Sequence, residues 1–357
     1  MARTFSIGPH TIGDDTRCYV IAEVGHNHQG SVKTCMELFK AAKDAGVQAV
    51  KLQKRHNRSL YTKAMYDKPY DNENSYGATY GAHREALEFG ASEYRDLQQY
   101  CRELGVDFFA TAFDFNSADF LAEIGVPAFK IASGDLKNTP LLKYVAGLGK
   151  PMIVSTGGGS LDDVKRACDV VMPLNPHLCV LQCTAGYPAE WTELNLSVIS
   201  TFRRMFPDSV TGFSSHDNGI AMAVAAYVLG ARVIEKHFTL NRAWKGTDHA
   251  FSLEPVGMRK MVRDLDRTWQ AIGDGEKRVY PSEVAPITKM GKKVVAARAL
   301  AAGHVLRPED VCLKSPGDGL PPYELENIIG AMLLQPVNAD DEIAYQILKG
   351  TPELARS

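Results

Sequence analysis

Eight short runs of mostly apolar residues recur through the first two-thirds of the chain, and a helix pattern follows each of them. Apolar residues that continue without alternation are typical of parallel strands, which are covered on both faces. Eight strand–helix units over roughly 250 residues predict an α/β fold of the TIM (β/α)8 barrel type, which we assign to residues 1–275. A doubly wound sheet is the alternative, but no G-x-G-x-x-G motif follows the first run. The predicted strands are Cys18–Val24, Val47–Gln53, Val106–Thr111, Pro127–Ala132, Pro151–Ser155, Leu178–Cys183, Val210–Phe213 and Arg232–Ile234.

The character of the sequence changes after Asp274. Residues 276–292 are polar and are predicted to form a linker. Residues 293–357 are rich in valine and leucine and contain turn pairs such as Ala302-Gly303 and Pro321-Pro322, which predicts a small, mostly-β module. A module of about 60 residues is near the lower size limit for independent stability, so we expect it to dock against another surface.

Charge and composition exclude several classes of function. The 357 residues carry a formal net charge of -2, which provides no basic surface for nucleic acid or for a membrane. No apolar run reaches membrane-spanning length, and the first residues lack the apolar core of a signal peptide, so we expect a cytoplasmic protein. The seven cysteines form no C-x-x-C pair, which favours reduced and mostly buried thiols.

Two histidines follow the last two predicted strands. Ser214 and His216 are two residues apart, as are Glu235 and His237, so each pair lies on one face of its strand. If the two strands are parallel neighbours, all four side chains meet at one rim. Two imidazoles, a carboxylate and a hydroxyl form a partial ligand set for a divalent metal with open positions. The alternative is a pair of hydrogen-bonded loop histidines.

Cationic and hydroxyl side chains follow the other strands. Lys51 and Lys130 are the cations, and the hydroxyls belong to Thr111, Ser133, Ser155 and Ser214. Such a set suits a small carboxylate or phosphate, and the Gly157–Gly159 turn before a helix adds backbone donors. Glu23 faces the same mouth and could transfer protons at a carbonyl oxygen. The alternative is that Glu23 only pairs with Lys51.

Several other polar residues have structural explanations. Alternation directs Lys236 away from the mouth, which predicts a structural ion pair. His26 and His28 are rival metal ligands, but residues of this kind more often hold a strand-to-helix turn. His249 beside Asp248 is a further candidate, with loop packing as its alternative. The polar, tyrosine-rich insertion of residues 54–90 is predicted to be a lid or a binding loop.

The motifs IAEVGHNHQG, KLQ, ATAFD, KIASGD, LQCTAGYP, GFSSHDNG, EKHFTL and KGTDHAFSLEP, in this order, resemble the sialic acid (nonulosonate) synthase family. The segment GKKVVAARALAAGHVLRPEDVCLKSPGDGLPP resembles the antifreeze-like (SAF) domain that ends these enzymes. The resemblance implies a TIM barrel and a domain-swapped homodimer. It also implies condensation of phosphoenolpyruvate (PEP) with an N-acyl-hexosamine such as N-acetylmannosamine, with Mn²⁺ or Mg²⁺ as the cofactor.

The resemblance also assigns roles to individual residues. His216 and His237 match the metal ligands of the family. Groups that hold the carboxylate of PEP are matched by Lys51, Thr111 and Lys130. Groups that hold its phosphate are matched by Ser133, Ser155 and Ser214, and Thr184 is a further predicted substrate-binding residue. The predicted catalytic residues are Glu23, Gln53, Glu235, Tyr187 and Asp248, with Glu23 beside the sugar aldehyde.

Two departures separate this chain from bacterial sialic acid synthases. Ala185 stands where those enzymes often place an asparagine, and Ser315 where they place an arginine that reaches the partner's sugar pocket. The motifs LQCTAGYP, TYGAHREALEF and AWKGTDH are closer to the animal-type synthases, which use the sugar 6-phosphate and form a 9-phosphate product. Added cationic donors for that phosphate would come from Arg84, His83 or Lys68; the alternative is a solvated lid face.

The sequence is also compatible with other functions. A synthase for another nonulosonate, such as legionaminic, pseudaminic or deaminated sialic acid, shares the same motifs. A 3-deoxy-octulosonate or 3-deoxy-heptulosonate phosphate synthase shares the fold, but the SAF segment and EKHFTL argue against it. A non-catalytic carbohydrate- or ice-binding protein would not need Glu23, Lys51, His216 and His237 at one rim.

Overall fold

A computed structural model describes residues 3–350, and the chain divides into two compact units, one up to Gly273 and one from Asp274 onward. The first unit contains a closed barrel of eight parallel strands, which confirms the TIM-type prediction. A search of residues 3–350 for a helix long and apolar enough to cross a membrane finds none. The barrel strands are β3 Tyr19–Gly25, β4 Ala49–Lys54, β5 Asp107–Ala112, β6 Phe129–Ile131, β7 Met152–Ser155, β8 Leu178–Cys183, β9 Val210–Ser215 and β10 Val233–His237.

Amphipathic helices cover the barrel. In the helix that follows β3, Cys35, Leu38, Phe39 and Ala42 are buried, and this i, i+3, i+4, i+7 spacing places them on one face. The capping box predicted at Ser160 is present, since Ser160 and Asp163 each accept a hydrogen bond from the other's backbone N–H. The helices of the barrel unit are α1 Val32–Asp44, α2 Asn57–Leu60, α3 Lys63–Tyr66, α4 Tyr80–Glu85, α5 Ala91–Leu104, α6 Phe115–Ile124, α7 Thr139–Gly147, α8 Leu161–Val171, α9 Ser197–Met205, α10 Ala221–Val228 and α11 Pro255–Ile272.

The last two strands run further than the sequence predicted. β9 continues to Ser215 and β10 to His237, because Ser214 pairs with Cys183 on one side and with Glu235 on the other. Their polar residues therefore lie on regular strand rather than in flexible loops. This keeps the alternation of inward and outward side chains intact to the rim of the barrel.

An N-terminal hairpin that the sequence did not predict precedes the barrel. Its strands β1 Thr4–Ile7 and β2 His10–Gly13 are antiparallel. Phe5, Ile7 and Ile12 are buried in the barrel's own hydrophobic core. Each strand has only four residues, which is too short for a period-2 pattern to stand out.

The insertion after β4 is folded. It contains α2, α3 and α4, and the threonines Thr62 and Thr79 accept backbone hydrogen bonds at the starts of α3 and α4. Tyr61 and Tyr70 both pack edge-on against Tyr80 at about 5 Å between ring centroids. The tyrosine-rich composition therefore forms a small aromatic core within the predicted lid.

Asp114 ties this insertion to helix α6. Its carboxylate accepts hydrogen bonds from the backbone N–H of Ser117 at 2.8 Å and from the backbone N–H of His56 at 2.8 Å. Removing a capping side chain costs about 1–2 kcal/mol, so Asp114→Ala should lower the free energy of unfolding by at least that amount. Urea denaturation would measure it. Asp169→Ala, which removes an exposed partner of Lys165, is the control and should change it by about 0.5 kcal/mol or less.

The second unit is small and mostly β, as predicted. β11 Lys293–Ala296 pairs with β12 Val311–Lys314, and β13 Met332–Leu333 pairs with β14 Leu348–Lys349, both antiparallel. It has its own apolar core and a short helix, α13 Leu325–Ile328. The stretch predicted as a linker contains a helix, α12 Pro281–Met290, which proline at its first position and Glu283 in its first turn favour.

Candidate active site

A cavity of about 620 Å³ opens at the carboxyl ends of the barrel strands. In a parallel barrel this is the end where catalytic groups are found, because the loops that follow the strands meet there. The side chains come from nearly every strand and from the insertion. The lining includes all the predicted site residues except Thr184, namely Glu23, Lys51, Gln53, Arg84, Thr111, Lys130, Ser133, Ser155, Tyr187, Ser214, His216, Glu235, His237 and Asp248.

Two buried lysines and two buried carboxylates form the floor of the cavity. Lys51 Nζ lies 2.6 Å from Glu23 Oε2 and donates to Thr111 Oγ1 at 2.8 Å. Lys130 Nζ donates to Ser155 Oγ at 2.6 Å. Glu235 lies between the lysines, with one carboxylate oxygen 3.8 Å from each Nζ. The Glu23–Lys51 ion pair expected as an alternative is therefore present, but within a larger network.

Backbone geometry brings these groups together. Glu23 pairs with Lys51 across β3 and β4, and the register then shifts before Gly25, which forms a bulge beside the cavity. Gly25 has φ +52°, and a Cβ there would lie 3.3 Å from Glu23 Oε1 and 3.2 Å from Gln53 Nε2. Glycine thus permits the turn and leaves room for the Gln53 amide, which donates to Glu23 Oε1 at 2.8 Å.

The two carboxylates have opposite pKa shifts. Burial raises the pKa of Glu23 to about 7, even though Lys51 acts against it. Burial also acts to raise the pKa of Glu235, but Lys130 and Lys51 outweigh it and lower that pKa to about 2. Two carboxyl groups whose pKa values are driven apart are suited to different tasks. Glu23 can carry a proton near neutral pH, whereas Glu235 stays an anion.

The two histidines predicted as metal ligands lie next to each other at the rim, at the ends of the neighbouring strands β9 and β10. The ring centroids of His216 and His237 are 5.3 Å apart. The Nδ1–H of His216 donates to the carbonyl of Thr184 at 2.9 Å, which leaves Nε2 as a ligand atom. His237 Nδ1 is buried without a hydrogen-bond partner and lies 3.8 Å from Asp248 Oδ2. Within residues 3–350 no group of three or more His, Cys, Asp or Glu side chains has metal-binding spacing. Two imidazoles are thus only part of a ligand set, and the remaining positions of an ion bound there would be open to water or substrate.

Comparison with known proteins agrees with this geometry. The sequence profile of the NeuB family matches residues 38–277, and that of the SAF domain matches residues 293–346. The chain belongs to the NeuB family. The match covers most of the barrel strands and the cavity residues carried on them.

Three relatives illustrate the range of the NeuB family. The chain is 39% identical to the N-acetylneuraminate-9-phosphate synthase of Homo sapiens, over 94% of both chains. It is 34% identical to the N,N'-diacetyllegionaminic acid synthase of Legionella pneumophila, over 94% of this chain and 95% of the relative. A crystal structure of N-acetylneuraminic acid synthetase from Leptospira borgpetersenii superposes with a TM-score of 0.70 at 30% identity, covering 80% of this chain and 96% of that one. The chain is an enzyme of this synthase type, and its similarity to 9-phosphate synthases of animals supports the predicted likeness to the animal-type branch.

Thr184 was assigned to substrate binding, but its side chain does not line the cavity. Its hydroxyl donates to the carbonyl of Glu193 at 2.9 Å. The residue instead contributes its carbonyl to His216. The Gly157–Gly159 turn was predicted to supply backbone donors to a ligand. One of these donors is already used, since Gly157 N–H donates to Ser133 Oγ at 2.9 Å.

Three of the remaining candidates make structural contacts, as the simpler interpretations predicted. Lys236 is buried and forms an ion pair with Asp217 at 2.9 Å. His28 Nδ1 accepts from Gly30 N–H at 3.0 Å within the turn after β3. His249 Nδ1 lies 2.7 Å from the hydroxyl of Thr239, which is loop packing.

Of the three residues suggested for a second phosphate, only Arg84 lines the cavity. His83 is buried in the insertion, where its Nδ1 accepts from Tyr76 N–H at 3.1 Å. Lys68 is exposed and lies outside the lining.

Sequence reasoning missed Arg55, which also lines the cavity. Lys51, Gln53 and Arg55 are each two residues apart, so extending the strand alternation by one step would have found it. The sequence carries no such signal for Asn74, which the folded insertion brings to the same wall.

Proposed function

We propose that this NeuB-family enzyme condenses PEP with an N-acyl-hexosamine, N-acetylmannosamine or its 6-phosphate, to form N-acetylneuraminate or its 9-phosphate and inorganic phosphate. The observation that carries this proposal is a single cavity in which two lysines, several hydroxyls, two carboxylates with opposed pKa shifts and two imidazoles converge. Each of these groups has a task in joining an enol phosphate to an aldehyde.

The floor of the cavity is suited to PEP. Lys51, Thr111 and Lys130 would hold its carboxylate, since ammonium and hydroxyl donors bind carboxylates with charge-assisted hydrogen bonds. Ser133, Ser155 and Ser214 would hold its phosphate. Ser155 and Thr111 already accept from the two lysines, so their hydroxyl protons can point toward the substrate.

His216 and His237 would hold Mn²⁺ or Mg²⁺, and the orphaned Nδ1 of His237 fits a bound group at this place. The ion would supply a Lewis acid that polarises the aldehyde oxygen of the open-chain sugar. Asp248, Tyr187 and Gln53 also line the cavity and would orient the sugar.

The chain's own residues would then direct the bond changes. The methylene carbon of PEP attacks the aldehyde carbon, and Glu23 gives a proton to the oxygen that becomes the new hydroxyl, which its pKa of about 7 allows. Positive charge develops on the carbon that bears the phosphate, and the anionic Glu235 stabilises it. Water adds at that carbon and returns one proton to Glu23. The carbon–oxygen bond to phosphate then breaks, the phosphate leaves with the remaining proton of the added water, and the carbon becomes a ketone.

Mass spectrometry of products from PEP and a panel of hexosamines, their N-acyl derivatives and their 6-phosphates would test the proposal. We expect phosphate release that depends on an N-acyl-mannosamine and that a chelator abolishes. The legionaminic acid relative makes a diacetylated acceptor the second candidate, and the same panel would identify it. Release with arabinose 5-phosphate or erythrose 4-phosphate instead would replace the proposal with 3-deoxy-sugar synthesis, and no release with any acceptor would reject it.

We also propose that two chains form a domain-swapped homodimer, in which the SAF domain of one covers the barrel of the other. Support comes from apolar side chains that are exposed along α12, with Val284 at 55% and Ile287 at 62%. Such a stripe is typical of a surface that another molecule covers.

Changing Val284 and Ile287 together to aspartate should shift the dimer to monomer, because two charges would have to be buried at the interface. Light scattering coupled to size exclusion would measure this. Leu174→Asp, at an apolar residue that is 49% exposed on the barrel, is the control and should stay dimeric. A wild-type chain that elutes as a monomer would contradict the proposal.

A further inference from the structure

A buried ion pair lies behind the two histidines of the cavity rim. Lys236 precedes His237 on β10, and Asp217 comes directly after His216, which follows the last residue of β9. Alternation turns the histidines toward the cavity and their neighbours away from it. His216 and His237 accordingly line the cavity, whereas Lys236 and Asp217 do not. The pair therefore adjoins both proposed metal ligands in sequence but lies outside the cavity in which they act.

The strand ladder by itself does not fix the position of His216 relative to His237. The register between β9 and β10 ends at the pair Ser215 and Lys236, one residue before His216. The backbone carbonyl of His216 accepts at 3.3 Å from the N–H of Ala189, which belongs to the loop after β8 and not to β10. The spacing of the two imidazoles, 5.3 Å between ring centroids, therefore depends on contacts that cross from the end of β9 to β10.

Lys236 supplies three such contacts. Its Nζ donates to the backbone carbonyl of Asp217 at 2.6 Å, to the Asp217 carboxylate at 2.9 Å and to Ser215 Oγ at 3.3 Å. An ammonium group has three N–H donors, so all of them are used on the two residues that flank His216. Ser215 also donates to the Asp217 carboxylate, which closes the network. One side chain of β10 thus holds the chain on both sides of His216.

Stability alone gives a weak reason for a charged pair at this place. The side chains of Lys236 and Asp217 are each 2% exposed, so both charges have been removed from water. The cost of that desolvation can exceed the attraction between the charges, and apolar groups of similar volume often stabilise a core equally well. Hydrogen bonds, unlike apolar contacts, have preferred lengths and directions. A hydrogen-bonded ion pair is therefore suited to holding two strand ends in a defined relative position.

A metal site requires such a defined position. Bonds from an imidazole nitrogen to a divalent ion are short, about 2.1 Å in zinc sites, and tolerate deviations of about 0.2 Å. The Nδ1–H of His216 donates to the carbonyl of Thr184 at 2.9 Å, which orients its ring. That contact comes from the loop after β8, so it does not set the distance of the ring from His237 on β10.

We propose that Lys236 and Asp217 are positioning residues that set the spacing of His216 and His237 for the divalent ion. They act through the backbone of residues 215–217 and contact neither the ion nor the substrates. This inference rests on the proposed function, because it takes the two histidines as ligands of the metal. Removing a contact that orients a metal ligand typically lowers the affinity for the metal by about 10- to 100-fold.

Manganese binding in the absence of PEP and sugar would test this role. Electron paramagnetic resonance measures free Mn²⁺ during a titration and also reports the symmetry of the bound ion. For Lys236→Met/Asp217→Leu, which replaces the whole pair by apolar side chains, we expect a dissociation constant about 10- to 100-fold above that of the wild type and an altered spectrum of the bound ion. Asp217→Asn keeps an acceptor oxygen for Lys236 and should bind Mn²⁺ more tightly than the double variant.

Leu121→Ala is the control for a general loss of stability. Leu121 is fully buried on α6, which follows β5 on the side of the barrel opposite β9 and β10. Its truncation leaves a cavity in the core and should destabilise the barrel, yet Mn²⁺ should bind within about two-fold of the wild type. Circular dichroism would verify that every variant is folded at the temperature of the titration.

Steady-state kinetics would provide a second readout. The double variant should need about 10- to 100-fold more Mn²⁺ for half-maximal activity. Its KM for PEP at saturating Mn²⁺ should stay within about two-fold of the wild type, because Lys51 and Lys130 are unchanged. A general loss of folded enzyme would lower kcat without separating these two constants.

The outcomes separate this inference from the proposed function. A double variant with the affinity and the spectrum of the wild type would overturn the positioning role and leave the proposed function intact. Unchanged Mn²⁺ binding in His216→Ala would show that the histidine is not a ligand, and it would overturn both. If Mn²⁺ binds at the histidines but no acceptor is condensed, the proposed condensation fails, and the measured affinities still decide the positioning role.

Discussion

Replacing Lys51 with methionine is expected to lower kcat/KM for PEP by about 100- to 1000-fold, the range found when a donor that stabilises transition-state charge is removed. Lys51 Nζ lies within 2.6 Å of Glu23 and 3.8 Å of Glu235, and it is 2% exposed. Its loss removes a cation that would hold the substrate carboxylate. It also leaves Glu23 and Glu235 close together with less positive charge between them.

Steady-state phosphate release, with PEP varied at a saturating acceptor concentration, would measure this effect. Lys40→Met is the matched control, because Lys40 is exposed on α1 and its ion pair, at 2.7 Å, is with the equally exposed Asp44. We expect the control to stay within about two-fold of the wild type, as the loss of an exposed ion pair is worth little. A Lys51→Met enzyme with less than a three-fold reduction would show that PEP is bound elsewhere.

Replacing Lys236 with methionine is expected to destabilise the barrel unit by about 3–5 kcal/mol, because it leaves a buried carboxylate without its partner. Lys236 Nζ lies 2.9 Å from Asp217 Oδ1 and donates to the Asp217 carbonyl at 2.6 Å. Both side chains are 2% exposed, and Ser215 also donates to the carboxylate. These contacts lie directly behind the strand ends that carry the two histidines.

Urea denaturation followed by circular dichroism would measure the change. The double variant Lys236→Met/Asp217→Leu is the informative comparison, since replacing a whole buried pair by apolar groups is often neutral. It should recover at least half of the lost stability. If the double variant is as unstable as the sum of the single variants, packing rather than charge explains the loss.

Much of the barrel could be predicted because its strands are buried on both faces. Runs such as Leu178–Leu181 are apolar throughout, and no surface periodicity obscures them. The N-terminal hairpin and α12 were not predicted, because four-residue strands and a helix in a polar stretch have weak local signals. The hairpin is held in place by its contact with the barrel core. Contacts between residues that are distant in sequence leave no local sequence pattern, so the hairpin could not be predicted.

The candidate site was predictable where regular strand geometry positions it. Alternation alone places Ser214 with Glu235, and their side chains are hydrogen-bonded at 3.0 Å. Thr184 came from the family resemblance and not from this rule, and its hydroxyl binds the carbonyl of Glu193. Arg84 came from the family resemblance, and its contact with His26 depends on how the insertion folds.

The N-terminal hairpin limits the route by which substrates can reach the cavity. Its turn lies against Asp107 at the start of β5, and Tyr19 at the start of β3 donates to the same carboxylate at 2.8 Å, so the hairpin covers the lower end of the barrel. In the described part of the chain, substrates therefore reach Lys51 and Lys130 through the opposite end of the barrel. The reactant that binds deepest would have to enter before the other, so an inhibitor that spans both subsites would block the entry of both.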